Sequence, residues 1–230
     1  MTLSGRFELP IRQEEEICRY ERDLWNQGVI RVAGVDEVGR GPLAGPVVSA
    51  AVVLPVGVDV PGIRDSKQMT AKQRQVGYGL IYSACASTSA INIGIAAVSA
   101  KQIDRIGILN AALLSMKRAI ERLDPAPDYL LIDGLFIPNG ITIPALALVK
   151  GDSKSRSIAA ASVVAKVIRD RLMTSLDPRY PDYHFASNKG YGSPAHIATL
   201  LERGGSPHHR YSFAPLADHQ RTIPLNDRQK

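Results

Sequence analysis

Short apolar runs, separated by glycine, proline and polar clusters, dominate the first two thirds of the chain and predict β-strands. Five such runs occupy residues 30–36, 45–54, 91–98, 129–133 and 142–150. The second run is an almost continuous series of valine and alanine, which is typical of a strand buried on both faces. Because strands come first and later alternate with helical segments, the pattern predicts an α/β domain with a mixed sheet.

Helical periodicity marks the segments between and after these strands. We predict helices over residues 70–85, 99–123 and 157–173, and a further helix from Ser193 to Gly204. The third of these segments has one apolar stripe at helical spacing, formed by Ala159, Ala160, Val163, Val164, Val167, Ile168 and Leu172. Such a stripe indicates a helix that packs one face against the sheet.

Composition agrees with a single globular domain. The 230 residues are 45% apolar and 22% charged, a balance that excludes a disordered chain. We interpret residues 1–28 as a polar lead-in segment, 29–215 as the domain with its C-terminal helical part, and 216–230 as a flexible tail.

Charge and cysteine content narrow the class of protein. The net charge of +6 is in the direction that a nucleic-acid ligand requires, although it equally suits a basic protein without one. Cys18 and Cys85 lack metal-binding spacing and are interpreted as reduced thiols. No run approaches the roughly 20 apolar residues of a membrane span, and the N-terminus has no secretion signal. We therefore expect a cytoplasmic monomer.

Carboxylates follow three of the predicted strands. Asp36 and Glu37 close the first strand, Asp133 closes the fourth, and Asp152 follows the fifth. If these strands are parallel neighbours, their carboxyl ends open onto one crevice, where four acids would raise one another's pKa. Two Mg²⁺ or Mn²⁺ ions would relieve this repulsion and could support phosphodiester hydrolysis. Taken singly, Asp152 could be a helix N-cap and Asp133 a turn residue, but their recurrence at strand ends favours a site.

A glycine-rich loop directly follows the first pair of acids. Gly39, Gly41 and Gly45 surround Arg40, and a loop of this composition lets backbone N–H groups approach a phosphate closely. Acids suited to metal ions therefore lie beside groups suited to phosphate. This combination favours phosphodiester chemistry.

Six blocks of sequence closely resemble ribonuclease HII. They are VAGVDEVGRGPLAGPVV at 32–48, DSK at 65–67, LLIDG at 130–134, VKGDSKSRSIAAASVVAKVIRD at 149–170, NKGYGSPAH at 188–196 and HHRYSF at 208–213. The resemblance implies an RNase H-like fold, with a five-stranded mixed sheet flanked by helices and a small C-terminal helical extension. It also implies an endonuclease that hydrolyses the RNA strand of RNA–DNA hybrids and incises 5′ to single ribonucleotides in duplex DNA. The implied products carry a 3′-hydroxyl and a 5′-phosphate.

The same resemblance assigns roles to residues. The metal-binding and catalytic acids it implies are Asp36, Glu37, Asp133 and Asp152, with Mg²⁺ or Mn²⁺ as the ions. The substrate-binding residues it implies are Gly39, Arg40, Gly41 and Tyr191. The first three would read the ribose 2′-hydroxyl and its phosphate, and Tyr191 would stack on the sugar of the following deoxyribonucleotide. Without the resemblance, Tyr191 would be interpreted as a partly buried aromatic residue in a turn.

Several other polar residues receive weaker interpretations. Asp170, in the third predicted helix, is expected to be solvated and paired with Arg169 and Arg171. The histidines His196, His208 and His209 are expected at the surface or near phosphate rather than in catalysis. The lysines Lys67, Lys150 and Lys189 are candidate phosphate contacts, with simple solvation as the alternative.

Three alternatives stay open at this stage. Ribonuclease HIII carries an extra N-terminal domain, and the short lead-in together with Tyr191 favours HII. A nuclease of the same fold that acts on DNA junctions would share the acids but would not need a loop that senses a 2′-hydroxyl. A catalytically silent binder of hybrids would not need four mutually repelling acids.

Overall fold

The elements follow the predicted order along the chain. The computed structural model describes residues 17–218, apart from 59, 64 and 87–91. Its strands are β1 (Val32–Val38), β2 (Val47–Val53), β3 (Ile93–Val98), β4 (Tyr129–Asp133) and β5 (Ala145–Leu148). Its helices are α1 (Arg19–Asn26), α2 (Ala71–Ala86), α3 (Ala100–Ile106), α4 (Ile108–Ile120), α5 (Arg156–Leu176), α6 (Phe185–Asn188) and α7 (Pro194–Arg203). Short 3₁₀ turns occupy Ser66–Gln68, Gly151–Ser153, Asp177–Arg179 and Pro181–Tyr183.

The strands form one mixed sheet in the order β3-β2-β1-β4-β5, which confirms the predicted fold class. The first three strands are antiparallel neighbours, whereas β4 runs parallel to both β1 and β5. The carboxyl ends of β1, β4 and β5 therefore meet at one edge of the sheet. This is the edge at which open α/β sheets bind ligands.

Helices cover both faces of the sheet, and β2 shows how. All seven of its residues are buried. Successive side chains on a strand point to opposite faces, so Ala50 and Val52 pack with the apolar stripe of α5, while Ala51 and Val53 pack with α4. The apolar run in the sequence is therefore the signature of a strand covered on both sides.

One glycine sets how closely α5 approaches β1. A Cβ atom on Gly34 would lie 2.0 Å from the carbonyl carbon of Ser157, so the first turn of α5 rests directly on the strand backbone. The turn that carries Asp152 immediately precedes α5. The close approach therefore brings that turn to the end of β1.

Two predicted elements differ from the structure. The predicted helix over 99–123 is split into α3 and α4 at Gly107, which adopts a φ of +80° that favours glycine. The predicted strand over 142–150 is reduced to the four residues of β5. Pro144 directly before it has no N–H to donate, and Lys150 adopts a left-handed φ of 54° shortly after it.

The far end of α5 also departs from the predicted stripe. Leu172 is 39% exposed, whereas Arg169 and Met173 are fully buried. At this end α5 packs against the C-terminal helical part, where Met173 joins Tyr183, Phe185 and Leu200 in one apolar cluster. The helix therefore changes partner along its length, and its buried face changes with it.

The predicted surface location of the histidines is wrong for two of the three. His196 and His209 are buried, and their Nε2 atoms lie 2.9 Å apart. They are packed among the aromatic rings of Tyr183 and Phe185, because the short turns before α6 fold these rings over them. The cap of α7 agrees with prediction, since the Ser193 hydroxyl accepts from the N–H of His196.

Helix α1 joins the lead-in segment to the domain. Glu21 on α1 is only 2% exposed, and its Oε1 accepts hydrogen bonds from the hydroxyls of Ser155 and Ser157 and from the N–H of Ser157. A carboxylate is favourable at the N-terminus of a helix, which here is that of α5. Residues 1–16 and 219–230 lie outside the described part of the chain. Among the described helices, none is long and apolar enough to span a membrane.

Candidate active site

Four carboxylates occupy the edge where β1, β4 and β5 end, and we call them the acid cluster. They are Asp36, Glu37, Asp133 and Asp152. Asp133 Oδ1 accepts a hydrogen bond of 2.6 Å from the N–H of Gly151, which ties the end of β4 to the turn that carries Asp152. Electrostatic interactions run from Asp36 to Asp133 and from Asp133 to Asp152.

Burial and like charge raise the pKa values of three members of this cluster, Asp36, Glu37 and Asp152. Asp36 is 4% exposed, and burial, followed by the charges of Glu37 and Asp133, raises its pKa well above the usual range. Burial raises the pKa of Glu37 to about 7, against the opposing charge of Arg40. Burial and the charges of Asp65 and Asp133 raise the pKa of Asp152 to about 6. The ionised forms of these three carboxyl groups are therefore disfavoured, first by burial and then by like charge.

One aspartate that sequence reasoning missed also belongs here. Asp65 interacts with Asp152 both through its charge and through a side-chain hydrogen bond, and both effects raise the pKa of Asp152. It lies in the loop before the Ser66–Gln68 turn rather than at a strand end. Its place in the DSK block was the signal that could have identified it.

Lysine Lys67 supplies a cation to this edge. Its Nζ lies 3.9 Å from Asp152 Oδ2, while most of its side chain is exposed. Burial lowers the pKa of Lys67, but the charges of Asp152 and Asp36 outweigh this and raise it overall. The structure places the Lys67 ammonium beside the acids. Its contact with phosphate stays a prediction from the sequence.

The acid cluster suits hard divalent cations by its chemistry. Its donors are carboxylate oxygens, which Mg²⁺ and Mn²⁺ prefer, and its raised pKa values show where a cation would relieve repulsion. Over the described residues, however, no group of three or more His, Cys, Asp or Glu side chains is arranged so that it could hold a metal ion. The donor set therefore fits such an ion, while the side chains are not closed around one.

Residues 39–45, which we call the glycine loop, lie beside the acid cluster. Arg40 Nη1 lies 3.5 Å from Glu37 Oε1, and Arg40 and Gly41 are exposed. Gly39 is buried with a φ of +96°, and a Cβ atom there would lie 2.2 Å from Nε of Arg169. Only glycine fits this position, so the exposed tip of the loop is fixed by its buried base.

The turn that carries Tyr191, residues 188–192, contacts the glycine loop directly. The carbonyl of Gly190 accepts hydrogen bonds from the N–H groups of Leu43 and Ala44. Tyr191 is 44% exposed, and the Lys166 ammonium lies 5.9 Å from its ring centroid. The structure therefore brings the glycine loop and this tyrosine turn, which are far apart in sequence, to one surface beside the acids.

Asp170 lies outside the acid cluster, as expected, but its predicted partners are wrong. It is paired with Lys166 at 2.8 Å and with Arg74 at 3.8 Å. Arg169 is buried and donates to main-chain carbonyls, while Arg171 lies over the ring of Tyr78. On a helix, residues four apart face each other, and residues that are adjacent in sequence do not.

The two remaining lysines also have clear positions. Lys189 donates to Thr174 Oγ1 at 2.7 Å and to the Ala186 carbonyl at 2.6 Å, so its ammonium joins α5 to α6. Lys150 is exposed directly before the turn that carries Asp152. A phosphate contact stays a prediction for all three lysines.

Comparisons with known proteins agree with this geometry. Residues 33–216 match the family model described as Ribonuclease HII. A ribonuclease HII from Geobacillus kaustophilus is 49% identical over 204 residues, which are 89% of this chain and 76% of the relative. The crystal structure of ribonuclease H2 from Pyrococcus horikoshii OT3 superposes with a TM-score of 0.68 at 24% identity, covering 84% of this chain and all of that one. Bst-RNase HIII, solved in complex with Mn²⁺, gives a TM-score of 0.61 at 19% identity, covering 84% of this chain and 70% of that one.

Proposed function

The chain belongs to the ribonuclease HII family and is a metal-dependent endonuclease of the ribonuclease H type, and from this premise we propose its substrates and mechanism. It hydrolyses the RNA strand of RNA–DNA hybrids and incises 5′ to single ribonucleotides embedded in duplex DNA. The products carry a 3′-hydroxyl and a 5′-phosphate. A monomeric state and a cytoplasmic location remain predictions from the sequence.

The observation that carries this proposal is the contact between the acid cluster and the glycine loop. Arg40 lies 3.5 Å from Glu37, so groups that suit a metal ion and groups that suit a phosphate lie within one contact distance. A nucleic-acid strand bound between them would have one phosphate on the loop side and the adjacent, reacting phosphate on the acid side. This arrangement supports hydrolysis rather than binding alone.

The acid cluster supplies the positions for metal ions. Asp36, Glu37, Asp133 and Asp152 would hold two divalent ions, which when bound lower the pKa of the attacking water and stabilise the leaving 3′-oxygen. The structural similarity to a ribonuclease HIII solved with Mn²⁺ supports this assignment. The carboxylates themselves remain ligands throughout, and no side chain needs to act as a covalent nucleophile.

The glycine loop and Tyr191 supply recognition. A ribose 2′-hydroxyl both donates and accepts hydrogen bonds, so loop backbone groups can bind it and distinguish RNA from DNA. The Arg40 guanidinium binds the adjacent phosphate, for which its planar donors are suited. The ring of Tyr191 packs on the sugar of the next nucleotide, where a missing 2′-hydroxyl leaves room for close contact.

A nicking assay tests the function directly. End-labelled duplex DNA with one ribonucleotide, a full RNA–DNA hybrid and an all-DNA junction are each incubated with Mg²⁺, Mn²⁺ or EDTA. We expect metal-dependent cuts in the first two substrates, with the cut 5′ to the ribonucleotide. Cleavage of the hybrid alone would remove the recognition roles of Arg40 and Tyr191. Cleavage of the junction would favour a DNA nuclease, and binding without any cut would favour a silent hybrid binder.

A further inference from the structure

Two buried arginines lie beneath the glycine loop, and their hydrogen bonds go to main-chain carbonyls. Arg210 is fully buried and donates to the carbonyls of Gly39 at 2.5 Å, Arg40 at 2.9 Å and Gly45 at 2.9 Å. Burial, together with the charge of Arg169, lowers the pKa of Arg210 to about 9, so it remains protonated at neutral pH. A buried guanidinium requires such acceptors. The planar guanidinium of Arg210 donates to carbonyls at both ends of the glycine loop.

These bonds determine where the loop's N–H groups point. The peptide bonds of the loop are trans, and a trans peptide places its C=O and N–H on opposite sides. The carbonyls of Gly39 and Arg40 point inward to Arg210, so the N–H groups of Arg40 and Gly41 point away from it. Arg40 and Gly41 are also the exposed residues of the loop. Two successive outward N–H groups form a concavity that suits an anion or a hydroxyl oxygen.

The second arginine fixes the other half of the loop. Arg169 donates to the carbonyls of Ala44 and Pro46, each at 3.0 Å, and to the carbonyl of Lys189 at 2.9 Å. Lys189 lies two residues before Tyr191. Arg169 therefore joins the glycine loop to the tyrosine turn, while Arg210 sets the orientation of the loop tip.

We infer that Arg210 is a positioning residue for substrate recognition, which acts by holding the Gly39 and Arg40 carbonyls inward and thereby presenting the Arg40 and Gly41 N–H groups to the substrate. The inference rests on the proposed function, because that function assigns the loop to the ribose 2′-hydroxyl and its phosphate. Arg210 itself has no contact with substrate in this account. Its effect is on the loop geometry alone.

The substitution Arg210→Lys tests this role, because a lysine keeps the charge but cannot reach three carbonyls with a planar fork. We expect the KM for duplex DNA with one ribonucleotide to rise about tenfold, the effect of roughly one weakened hydrogen bond, with little change in kcat. The matched control is Arg156→Lys. Arg156 is also buried and donates to two loop carbonyls, those of Val60 and Ile63, which lie in a different loop. The control should lower the thermal midpoint similarly and leave KM unchanged.

A second measurement does not require activity. Amide resonances of the wild-type protein are followed by NMR while inorganic phosphate is added without metal. We expect the Arg40 and Gly41 amides to shift most, and to shift less in Arg210→Lys. Failure of the wild type to cut any substrate would remove the proposed function, yet the amide response would still decide this inference. Wild-type amides that do not respond, or an Arg210→Lys protein that loses only thermal stability, would overturn it.

Discussion

The acid cluster and the pair His196–His209 both place titratable side chains in the interior, yet their surroundings are opposite. The N–H of Ser206 donates to His209 Nδ1, so neutral His209 carries its proton on Nε2 and donates to His196 Nε2. His196 then donates from Nδ1 to the Tyr191 carbonyl. Every ring nitrogen is satisfied by a neighbour. The acid cluster has no such closed chain, and its like charges oppose one another.

This difference shows which buried ionisable groups indicate a site. Burial lowers the pKa of His209 to about 4 and raises the pKa of Glu37 to about 7. Both shifts are large, but only the second results in charges that an external cation would stabilise. A strongly shifted pKa therefore identifies a candidate site when like charges around the group stay opposed to it. When a hydrogen-bond chain satisfies the group, the shift reflects only its structural role.

The largest effect should come from removing one charge from the acid cluster. We expect Asp36→Asn to reduce metal-dependent turnover by at least about 10²–10³-fold, because a ligand that stabilises charge in the transition state is lost. The same change should raise the thermal midpoint, since a buried like charge disappears. Cleavage of the hybrid with Mg²⁺ and thermal unfolding without metal measure the two effects.

A matched acid outside the cluster provides the control for that experiment. Asp170→Asn removes a carboxylate that is paired with Lys166 and Arg74, so it should keep turnover and lower the thermal midpoint slightly. The two substitutions should therefore change the thermal midpoint in opposite directions and have very different effects on turnover. A folded Asp36→Asn protein with normal turnover would contradict the assignment of the acid cluster.

The pH dependence of stability should separate the two regions by sign. The pKa of His209 falls from an ordinary value of 6.5 to about 4 on folding, so the unfolded chain binds the proton more strongly. The contribution of His209 to the free energy of unfolding is complete above pH 6.5. It falls by on the order of 3 kcal/mol as the pH falls toward 4. The raised pKa values of Glu37 and Asp152 act in the opposite direction, and favour the folded state as the pH falls.

Urea unfolding at several pH values between 7.5 and 4.5 measures this difference. The variant His209→Gln keeps a neutral polar side chain but does not titrate, so it should lose less stability on acidification than the wild type does. Asp36→Asn lacks one of the opposing acids and should lose more. If the free energy of unfolding changed with pH identically in all three proteins, the contrast between the two regions would be contradicted.

The sequence predicted the acid cluster because each of its members lies near or just after the carboxyl end of a predicted strand, which is a local signal. Asp36 lies near the end of β1 and Asp133 ends β4, and the parallel pairing of these two strands brings both residues to one edge. Asp65 lies in a loop, so its approach to Asp152 depends on how that loop crosses the sheet. No periodicity in the sequence reports such a contact.

The sequence did not predict the buried arginines beneath the glycine loop, for a related reason. Arg210 is 165 residues away from Gly45, whose carbonyl it contacts, and a carbonyl acceptor is the same for every residue type. An arginine paired with an aspartate can be anticipated from charge, whereas an arginine paired with backbone cannot. The buried histidines show the same limit, because His196 and His209 are polar in sequence and become interior only through long-range packing.

A smaller effect is expected from the exposed side of the glycine loop. Arg40 is largely exposed and pairs with Glu37, so Arg40→Ala should change the free energy of unfolding by less than about 0.5 kcal/mol. We expect a rise of several-fold in KM for the ribonucleotide duplex, and a salt dependence of binding weaker by about one phosphate contact. The measurement is KM at several salt concentrations.

Arg203→Ala is a matched control, because Arg203 is similarly exposed at the end of α7 and pairs with Asp182 in the Pro181–Tyr183 turn. It should leave both KM and the salt dependence unchanged. Equal discrimination between the single-ribonucleotide and hybrid substrates in Arg40→Ala and the wild type would argue against a role at the junction.

The smallest effect should come from the hydroxyl of Tyr191, and this links the two regions. The carbonyl of Tyr191 is held by His196, so the histidine pair supports the tyrosine turn. If the ring face contacts the sugar, Tyr191→Phe should change KM for the ribonucleotide duplex by less than about threefold. Tyr191→Leu, which keeps apolar bulk without an aromatic face, should raise it by about tenfold, as for loss of one stacking contact. Equal losses in the two variants would instead assign recognition to the hydroxyl, because that is the group both of them lack.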